Sequence, residues 1–325
     1  MTERKLIAVV GATGSQGGGL VRAILDDKSG AYAVRALTRN AESSSAQALA
    51  TQGVEVVEAD LDDEASVRKA FDGVYGAFVV TNYWADRTPE EEAARTRAEM
   101  ELAQAGNAAR AAKDAGVTHL VWSTLEDTRD FFGDRTDVPS LDDGRYKVPH
   151  FDAKGEADDI FRTTGVPTTY LRTTFYFEAF LQGMGPQRTP DGHLALTLPM
   201  ADKPLSGIAS ADIGRTAFEI LKRPHLINQT ISIAGDHLTG PQYAEALTTA
   251  LAEPVTYQPP TWPEYRTYPF PMATEMANMF QYYAENHEAF TGNRNLDSVR
   301  ELNPRLQSFK MWLDLHKDEL KAAVQ

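Results

Sequence analysis

Short apolar runs alternate along the first half of the chain with segments of helical periodicity. Residues 6–10 are continuously apolar, which is typical of a parallel strand buried on both faces. Further strands are predicted at 32–38, 54–59, 74–80, 119–123 and 167–171, and helices at about 16–27, 41–51, 89–115 and 149–164. Another helix is predicted after the N-cap candidates at 60–63, with apolar positions Val67, Ala70, Phe71 and Val74. This alternation predicts an α/β fold, a Rossmann-type doubly wound parallel sheet.

The alternation ends near Arg172, and prolines become frequent from Pro149 onward. The stretch 257–271 is crowded with Pro, Tyr and Trp. We therefore predict a sheet domain over 1–172 and a smaller, mixed C-terminal region over 173–325. This region is expected to pack over the carboxyl edge of the sheet, where open α/β sheets hold ligands, and to return to the sheet.

Composition excludes several classes of protein. Asp and Glu number 46 against 32 Lys and Arg, a net charge of −14, which disfavours direct nucleic-acid binding. With no cysteine, disulfides and thiolate metal sites are absent, and we predict no metal site. The longest stretch without a charged side chain, 6–21, is shorter than the about 20 apolar residues of a membrane span. Without a signal-peptide pattern either, we expect a cytoplasmic protein with no membrane partner.

A glycine-rich turn follows the first predicted strand and opens the first predicted helix. It reads G-A-T-G-S-Q-G-G over residues 11–18. Glycine lets the backbone turn sharply and approach a pyrophosphate, while the helix N-terminus adds N–H donors and partial positive charge. A turn without a ligand is the alternative. The position of the turn between the first strand and the first helix favours a nicotinamide-dinucleotide site. This site would be formed by Gly11, Ala12, Thr13, Gly14, Ser15, Gln16 and Gly17.

The end of the second strand bears on the choice of cofactor. NAD-binding folds usually carry an acid there for the ribose 2′-hydroxyl, whereas an arginine accommodates the 2′-phosphate of NADP. Here the strand ends with Thr38, Arg39 and Asn40, without an acid. Arg39 as a merely solvated charge is the alternative. The pattern favours NADP(H) over NAD(H).

Polar residues also follow the next strands. Asp60 and Leu61, after the third strand, are expected to flank the adenine. The segment T-N-Y at 81–83, after the fourth, is expected beside the ribose and pyrophosphate. Ser123 follows the fifth strand, where dehydrogenases place a catalytic serine. A turn-forming hydroxyl is an equally good interpretation of Ser123.

Six segments together resemble the NmrA-like family of atypical short-chain dehydrogenases, and above all its NADPH-sensor branch. They are 11–18, 34–40, T-N-Y-W at 81–84, H-F-D-A-K-G-E at 150–156, G-V-P at 165–167 and Y-F-E at 176–178. The similarity extends from about Lys5 to a C-terminal helix near Asp314–Leu320, and so covers nearly the whole chain. Besides the glycine turn, it implies cofactor contacts from Arg39, Asn40, Ala41, Glu42, Ser43, Asp60, Leu61, Thr81, Asn82, Tyr83, Lys154, Tyr176, Phe177, Glu178 and Ala179.

Two departures from the resemblance matter. Ordinary short-chain dehydrogenases use Y-x-x-x-K, in which Tyr is the general acid and Lys holds the nicotinamide ribose. Here His150 replaces the Tyr, and Lys154 follows one helical turn later. Because imidazole titrates near 6.5, His150 would still exchange a proton, so both are candidate catalytic residues beside Ser123. The alternative for His150 is packing or capping at the helix start.

The second departure is in the long helix. The branch commonly has Q-G-K there, whereas this chain has Gln104, Ala105 and Gly106. Because Gly106 carries no charge, we expect NADP(H) to be held less tightly, or another cation to take the place of the lysine.

Three functions fit these features. The first is a redox-sensing NADP(H) binder that couples cofactor state to a protein partner with weak or no turnover, which the missing Tyr favours. The second is an NADPH-dependent reductase of a small apolar carbonyl, quinone or enone, in which Lys154 with His150 or water delivers the proton. The third, an interaction module with a vestigial site, is disfavoured by the intact glycine turn. A homodimer is compatible with all three.

Overall fold

A computed structural model describes residues 4–324, which pack as two compact units. The first unit contains the described residues through Asp127, together with His150–Thr173 and Ala211–Ile231. The second contains Thr128–Pro149, Thr174–Ser210 and the described residues from Ser232 onward. The chain therefore passes from one unit to the other five times, after residues 127, 149, 173, 210 and 231.

The first unit is built on a seven-stranded sheet with the order β11-β6-β5-β4-β1-β2-β3. Its strands, numbered along the whole chain, are β1 Lys5–Val10, β2 Tyr32–Thr38, β3 Glu55–Glu58, β4 Gly76–Val79, β5 His119–Thr124, β6 Thr168–Arg172 and β11 Thr230–Ser232. All pairings among β1–β6 are parallel. The strand order reverses at β1, which confirms the predicted Rossmann-type doubly wound sheet.

Seven helices belong to this sheet. They are α1 Ser15–Leu25, α2 Ser44–Thr51, α3 Glu64–Phe71, α4 Pro89–Ala94, α5 Arg97–Asp114, α7 Pro149–Thr164 and α8 Ser210–Leu221. The predicted single helix over 89–115 is wrong, because it divides into α4 and α5. The Thr96 hydroxyl accepts a hydrogen bond from the N–H of Glu99, and the N–H of Thr96 donates in return to the Glu99 carboxylate, so this capping box starts a new helix.

The helix α5 approaches the sheet closely because its buried face is almost all alanine. Ala105, Ala108 and Ala112 are fully buried in the same core as Trp122 of β5 and Phe71 of α3. Small side chains on a helix let its backbone approach the neighbouring layer. Residues at the carboxyl ends of β1, β4 and β5 are therefore held at one edge of a well-packed sheet.

The second unit contains two three-stranded sheets, with orders β12-β10-β7 and β13-β9-β8. The β10 pairings are antiparallel to β12 and parallel to β7, so this region is mixed as predicted. The elements of this unit are α6 Arg129–Phe132, β7 Phe175–Tyr176, β8 Gln187–Arg188, β9 Leu194–Leu196, β10 Pro204–Ile208, β12 Asp236–Thr239, α9 Gly240–Leu251, β13 Val255–Tyr257, α10 Trp262–Tyr265, α11 Ala273–Glu285, α12 His287–Gly292, α13 Leu296–Leu302 and α14 Phe309–Ala323, with a 3₁₀ turn at Phe177–Leu181. A second 3₁₀ turn, Pro224–Leu226, lies in the first unit. In residues 4–324, no helix is long and apolar enough for a bilayer.

Candidate functional site

The glycine turn has the geometry of a phosphate cradle. Gly11 adopts φ +67°, and the N–H of Gly14 donates to its carbonyl over 2.9 Å. A Cβ at Gly17 would lie 2.3 Å from the Gly11 oxygen, so only glycine fits there. The N-cap of α1, Gly14, supplies no side-chain cap. The start of α1 therefore has no side-chain cap, which fits a turn that binds the pyrophosphate of a dinucleotide.

Arg39 lies at the end of β2, as predicted. It is exposed and has no hydrogen-bond or ion-pair partner among residues 4–324. The residues after it form a tight connection, in which Asn40 Oδ1 accepts from the N–H of Glu42 over 2.9 Å. The Ser43 hydroxyl then caps α2 by accepting from Ala46. A guanidinium without a protein partner suits a phosphate group.

The end of β3 is held by α5. The carbonyl of Leu61 accepts from Asn107 Nδ2 over 2.7 Å, and Asp60 Oδ1 accepts from the N–H of Asp62. A Cβ at Gly106 would meet the guanidinium of Arg110 at 3.0 Å. Arg110 in turn lies 2.8 Å from Glu64 Oε2. Arg110 is therefore a cation beside Gly106, but its charge is already compensated by Glu64.

Lys154 is at the centre of a buried polar cluster. Its Nζ lies 2.7 Å from Glu101 Oε2 and 2.7 Å from Thr81 Oγ1, and it donates to the Thr81 carbonyl over 3.2 Å. The Thr81 hydroxyl donates to Glu101 Oε2 over 2.7 Å. The Trp122 ring lies 5.2 Å from the same ammonium. The structure thus joins two of the predicted residues, Thr81 and Lys154, through a third that was not predicted.

His150 is 5% exposed and packs among aromatic rings. Its ring centroid lies 4.9 Å from that of Trp84, 5.7 Å from that of Tyr83 and 4.9 Å from that of Phe151. The segment 83–85, which carries two of these rings, is held by Arg97, which donates to the carbonyls of Tyr83 and Ala85. Trp84 remains 46% exposed. This setting agrees with the packing alternative for His150, and its catalytic role stays a prediction.

Ser123 is linked to the glycine turn. Its hydroxyl donates to Gln16 Oε1 over 2.8 Å, and the residue is buried. This bond joins the carboxyl end of β5 to the start of α1. Gln16 and Ser123, both predicted site residues, are therefore neighbours, with the serine hydroxyl engaged in holding the turn.

The remaining predicted segment, 176–179, lies in the second unit. Phe177 packs against Phe309 and Trp312 with ring centroids 5.0 and 5.9 Å apart. The Glu178 carboxylate accepts from the N–H of Ser210 and from Trp312 Nε1. The side chains of Phe177 and Glu178 thus have structural contacts in that unit, and a cofactor role for Tyr176, Phe177, Glu178 and Ala179 stays a prediction.

Glu101 is the site residue that sequence reasoning missed. It lies on the buried face of α5, four residues before Ala105 and three after Ala98, and is 1% exposed. A carboxylate in a helical row that otherwise reads Ala98, Ala105, Ala108 and Ala112 is a signal available in the sequence. Charged residues are rarely buried unless paired, so such a position indicates a buried cation partner. Among the residues described, no group of three or more His, Asp and Glu side chains is placed to hold a metal ion.

The seven-stranded sheet and its glycine cradle define the class of this molecule as a Rossmann-type α/β protein. The model of the NmrA-like family matches residues 3–313. The chain belongs to the NmrA-like family.

Known relatives and structures agree with this assignment. The NmrA-like family domain-containing oxidoreductase himF of Aspergillus japonicus is 36% identical over 179 residues, 55% of this chain and 49% of that protein. The chain thus matches about half the length of this relative. The crystal structure of NmrA, a negative transcriptional regulator, superimposes with a TM-score of 0.75 at 21% identity, covering 97% of this chain and 98% of that one. Triphenylmethane reductase from Citrobacter sp., complexed with NADP(H), gives 0.70 at 22% identity over 98% and 99% of the two chains.

Proposed function

We propose that this protein binds NADP(H) and acts mainly as a redox-sensing regulator with weak or no turnover. The observation that carries the binding is the glycine cradle at the start of α1, where a Cβ at Gly17 would lie 2.3 Å from the backbone. The partner-free Arg39 supports the phosphorylated cofactor. NmrA, a structural relative, is a negative transcriptional regulator whose structure is known in complex with NADP. A protein partner and a cytoplasmic location belong to the same proposal.

The state of Lys154 supports weak turnover. With Tyr replaced by His150, this lysine is the remaining member of the dehydrogenase pair. Its ammonium is already bonded to Thr81 and Glu101. A lysine held in this way has little freedom to serve a reacting carbonyl or a ribose.

A reductase is the second candidate, favoured by the retention of Lys154 and by relatives named oxidoreductases. In that case the nicotinamide supplies a hydride to a small apolar carbonyl, quinone or enone. Lys154, with His150 or a water molecule, would deliver the proton to the acceptor oxygen, and the aromatic rings around His150 would exclude bulk water.

Cofactor choice gives the first test. We expect wild type to bind NADPH more tightly than NADH, because the Arg39 guanidinium would pair with the 2′-phosphate. Arg39→Ala is expected to weaken NADPH roughly tenfold, the order of one lost charged hydrogen bond, with NADH unchanged. Calorimetric titration measures both affinities. Arg68→Ala, which removes an exposed arginine on α3, is the control and should change neither. Equal wild-type affinities for the two cofactors would refute the NADP(H) preference.

Turnover gives the second test. NADPH oxidation would be followed with quinones, aldehydes and enones, comparing wild type with Lys154→Met. For a sensor, we expect slow consumption that the substitution changes by less than about tenfold, since removal of a positioned proton donor costs an enzyme 10²–10⁴-fold. Lys69→Met, an exposed lysine on α3, is the matched control. Rapid oxidation that Lys154→Met abolishes and Lys69→Met preserves would establish the reductase instead.

A further inference from the structure

The ammonium group of Lys154 has three N–H donors, and each has an acceptor inside the protein. The acceptors are Glu101 Oε2 at 2.7 Å, Thr81 Oγ1 at 2.7 Å and the Thr81 carbonyl at 3.2 Å. The Lys154 side chain is 12% exposed. In this state no N–H remains for a ligand hydroxyl.

The positive charge of Lys154 is also compensated, by the carboxylate of Glu101. Glu101 is 1% exposed, and its second oxygen, Oε1, is buried with no hydrogen-bond partner among the described residues. A buried carboxylate with one unsatisfied oxygen depends on a close cation. Thr81 binds both members and closes a triangle of three 2.7 Å contacts. The pair is therefore held as a unit by α5, α7 and the end of β4.

We propose that Glu101 is a positioning residue that restrains Lys154 and suppresses its use by the cofactor. The inference deepens the proposed function and rests on it, because it explains how the retained lysine is compatible with weak turnover. While the ion pair is closed, the cation neither attracts the anionic dinucleotide nor donates to its ribose. When the Glu101 charge is removed, the Lys154 ammonium is free to attract the dinucleotide and to donate to its ribose.

The proposal predicts a gain in binding. Glu101→Gln preserves the shape of the side chain and removes its charge. We expect NADPH affinity to rise roughly tenfold, the order of one added close charge contact. A merely structural role for Glu101 would weaken binding or leave it unchanged, so the direction of the change separates the two explanations. In the double variant with Lys154→Met, the gain is expected to disappear.

A matched control accounts for the general effect of charge. Glu99→Gln removes one acid from the same helix, is exposed, and can retain the capping box because Gln also serves at that position. Calorimetric NADPH affinity of this variant is expected to stay within about twofold of wild type, as for other surface charges. A Glu101→Gln variant that folds but binds NADPH no more tightly than wild type would overturn the inference. If wild type binds no NADPH at all, the proposed function itself fails.

A measurement on the unaltered chain covers the case in which Glu101→Gln does not fold. In ¹⁵N-lysine NMR spectra, a side-chain ammonium held by three acceptors exchanges its protons slowly and gives its own signal. We expect one such signal that Lys154→Met removes and that persists when NADPH is added to wild type. Lys154 protons that exchange as fast as those of the exposed lysines would overturn the inference.

Discussion

Asp158 is a buried carboxylate whose ionisation opposes folding. It lies on α7, one turn after Lys154, and accepts from Trp122 Nε1 over 3.0 Å and from the Thr124 hydroxyl over 2.7 Å. Burial raises its pKa to about 6 from the ordinary 3.8, although Thr124, Arg172, Arg162 and Trp122 favour the charged form. The folded protein therefore holds a proton between about pH 4 and pH 6 that the unfolded chain releases.

This shift predicts a pH dependence of stability. The stabilising contribution of Asp158 is complete below pH 3.8 and is lost as the pH rises through about 6. Asp158→Asn keeps an acceptor oxygen and removes the titration. Relative to wild type, its free energy of unfolding should therefore improve by about 1 kcal/mol between pH 5 and pH 7.

Denaturant unfolding at the two pH values measures this change. Asp159→Asn, whose side chain is 79% exposed on the same helix, is the control and should show no comparable change. The interpretation fails if the difference between Asp158→Asn and wild type is the same at both pH values.

Single residues also show the limit of sequence reasoning. Glu101 and Asp158 have their roles because the fold buries them, and burial depends on which layers meet. The positions of Arg39 and the glycine turn directly after a strand were predictable, because they follow from local sequence. Gly17 is fixed by the conformation of the turn itself, which neighbouring residues determine.

Helices α1 and α8 of the first unit pack against each other at glycine residues. A Cβ at Gly214 of α8 would lie 2.2 Å from the backbone nitrogen of Leu20 in α1, and one at Gly19 would lie 2.5 Å from the Ala211 carbonyl. The backbones of α1 and α8 are therefore in direct contact. This contact holds α1, which carries the phosphate cradle, against a helix from the later part of the chain.

Gly214→Ala is expected to destabilise the protein by about 1–3 kcal/mol, because backbone atoms cannot move aside for the added methyl group. Gly106→Ala on α5 provides the contrast. The atom nearest to its Cβ would be Arg110 Nη1 at 3.0 Å, at the end of an exposed, flexible side chain, and alanine favours the helix by about 1 kcal/mol. Thermal unfolding should show a lower midpoint for Gly214→Ala and an equal or higher one for Gly106→Ala. Equal midpoints for Gly214→Ala and wild type would contradict the close packing.

Elements with strong local signals were predicted well. The strand 32–38 and the helix 149–164 have the predicted bounds. The division of the helix at 89–115 was missed, because alanine and glutamate favour a helix throughout and only the capping box at Thr96 marks the restart. The polar stretch after Asp127 likewise contains α6, whose four residues are too few to produce a periodic pattern.

For the whole molecule, pattern and resemblance predicted the fold class and the family, while the grouping of segments required the structure. Non-local packing places Ala211–Ile231 with the first unit and Thr128–Pro149 with the second. Sequence periodicity describes local segments and carries no information about which distant segments join one core. The predicted domain over 1–172 spans β1–β6 in sequence, whereas α8 follows later in the chain.

The place of β11 in the sheet has a consequence for biosynthesis. This strand, Thr230–Ser232, lies at the sheet edge beside β6, so the sheet remains incomplete until translation has passed Ser232. Domains generally fold as units while they emerge from the ribosome. The glycine turn between β1 and α1 is thus synthesised well before the sheet gains its last strand, and until β11 has emerged β6 is the edge strand on that side of the sheet.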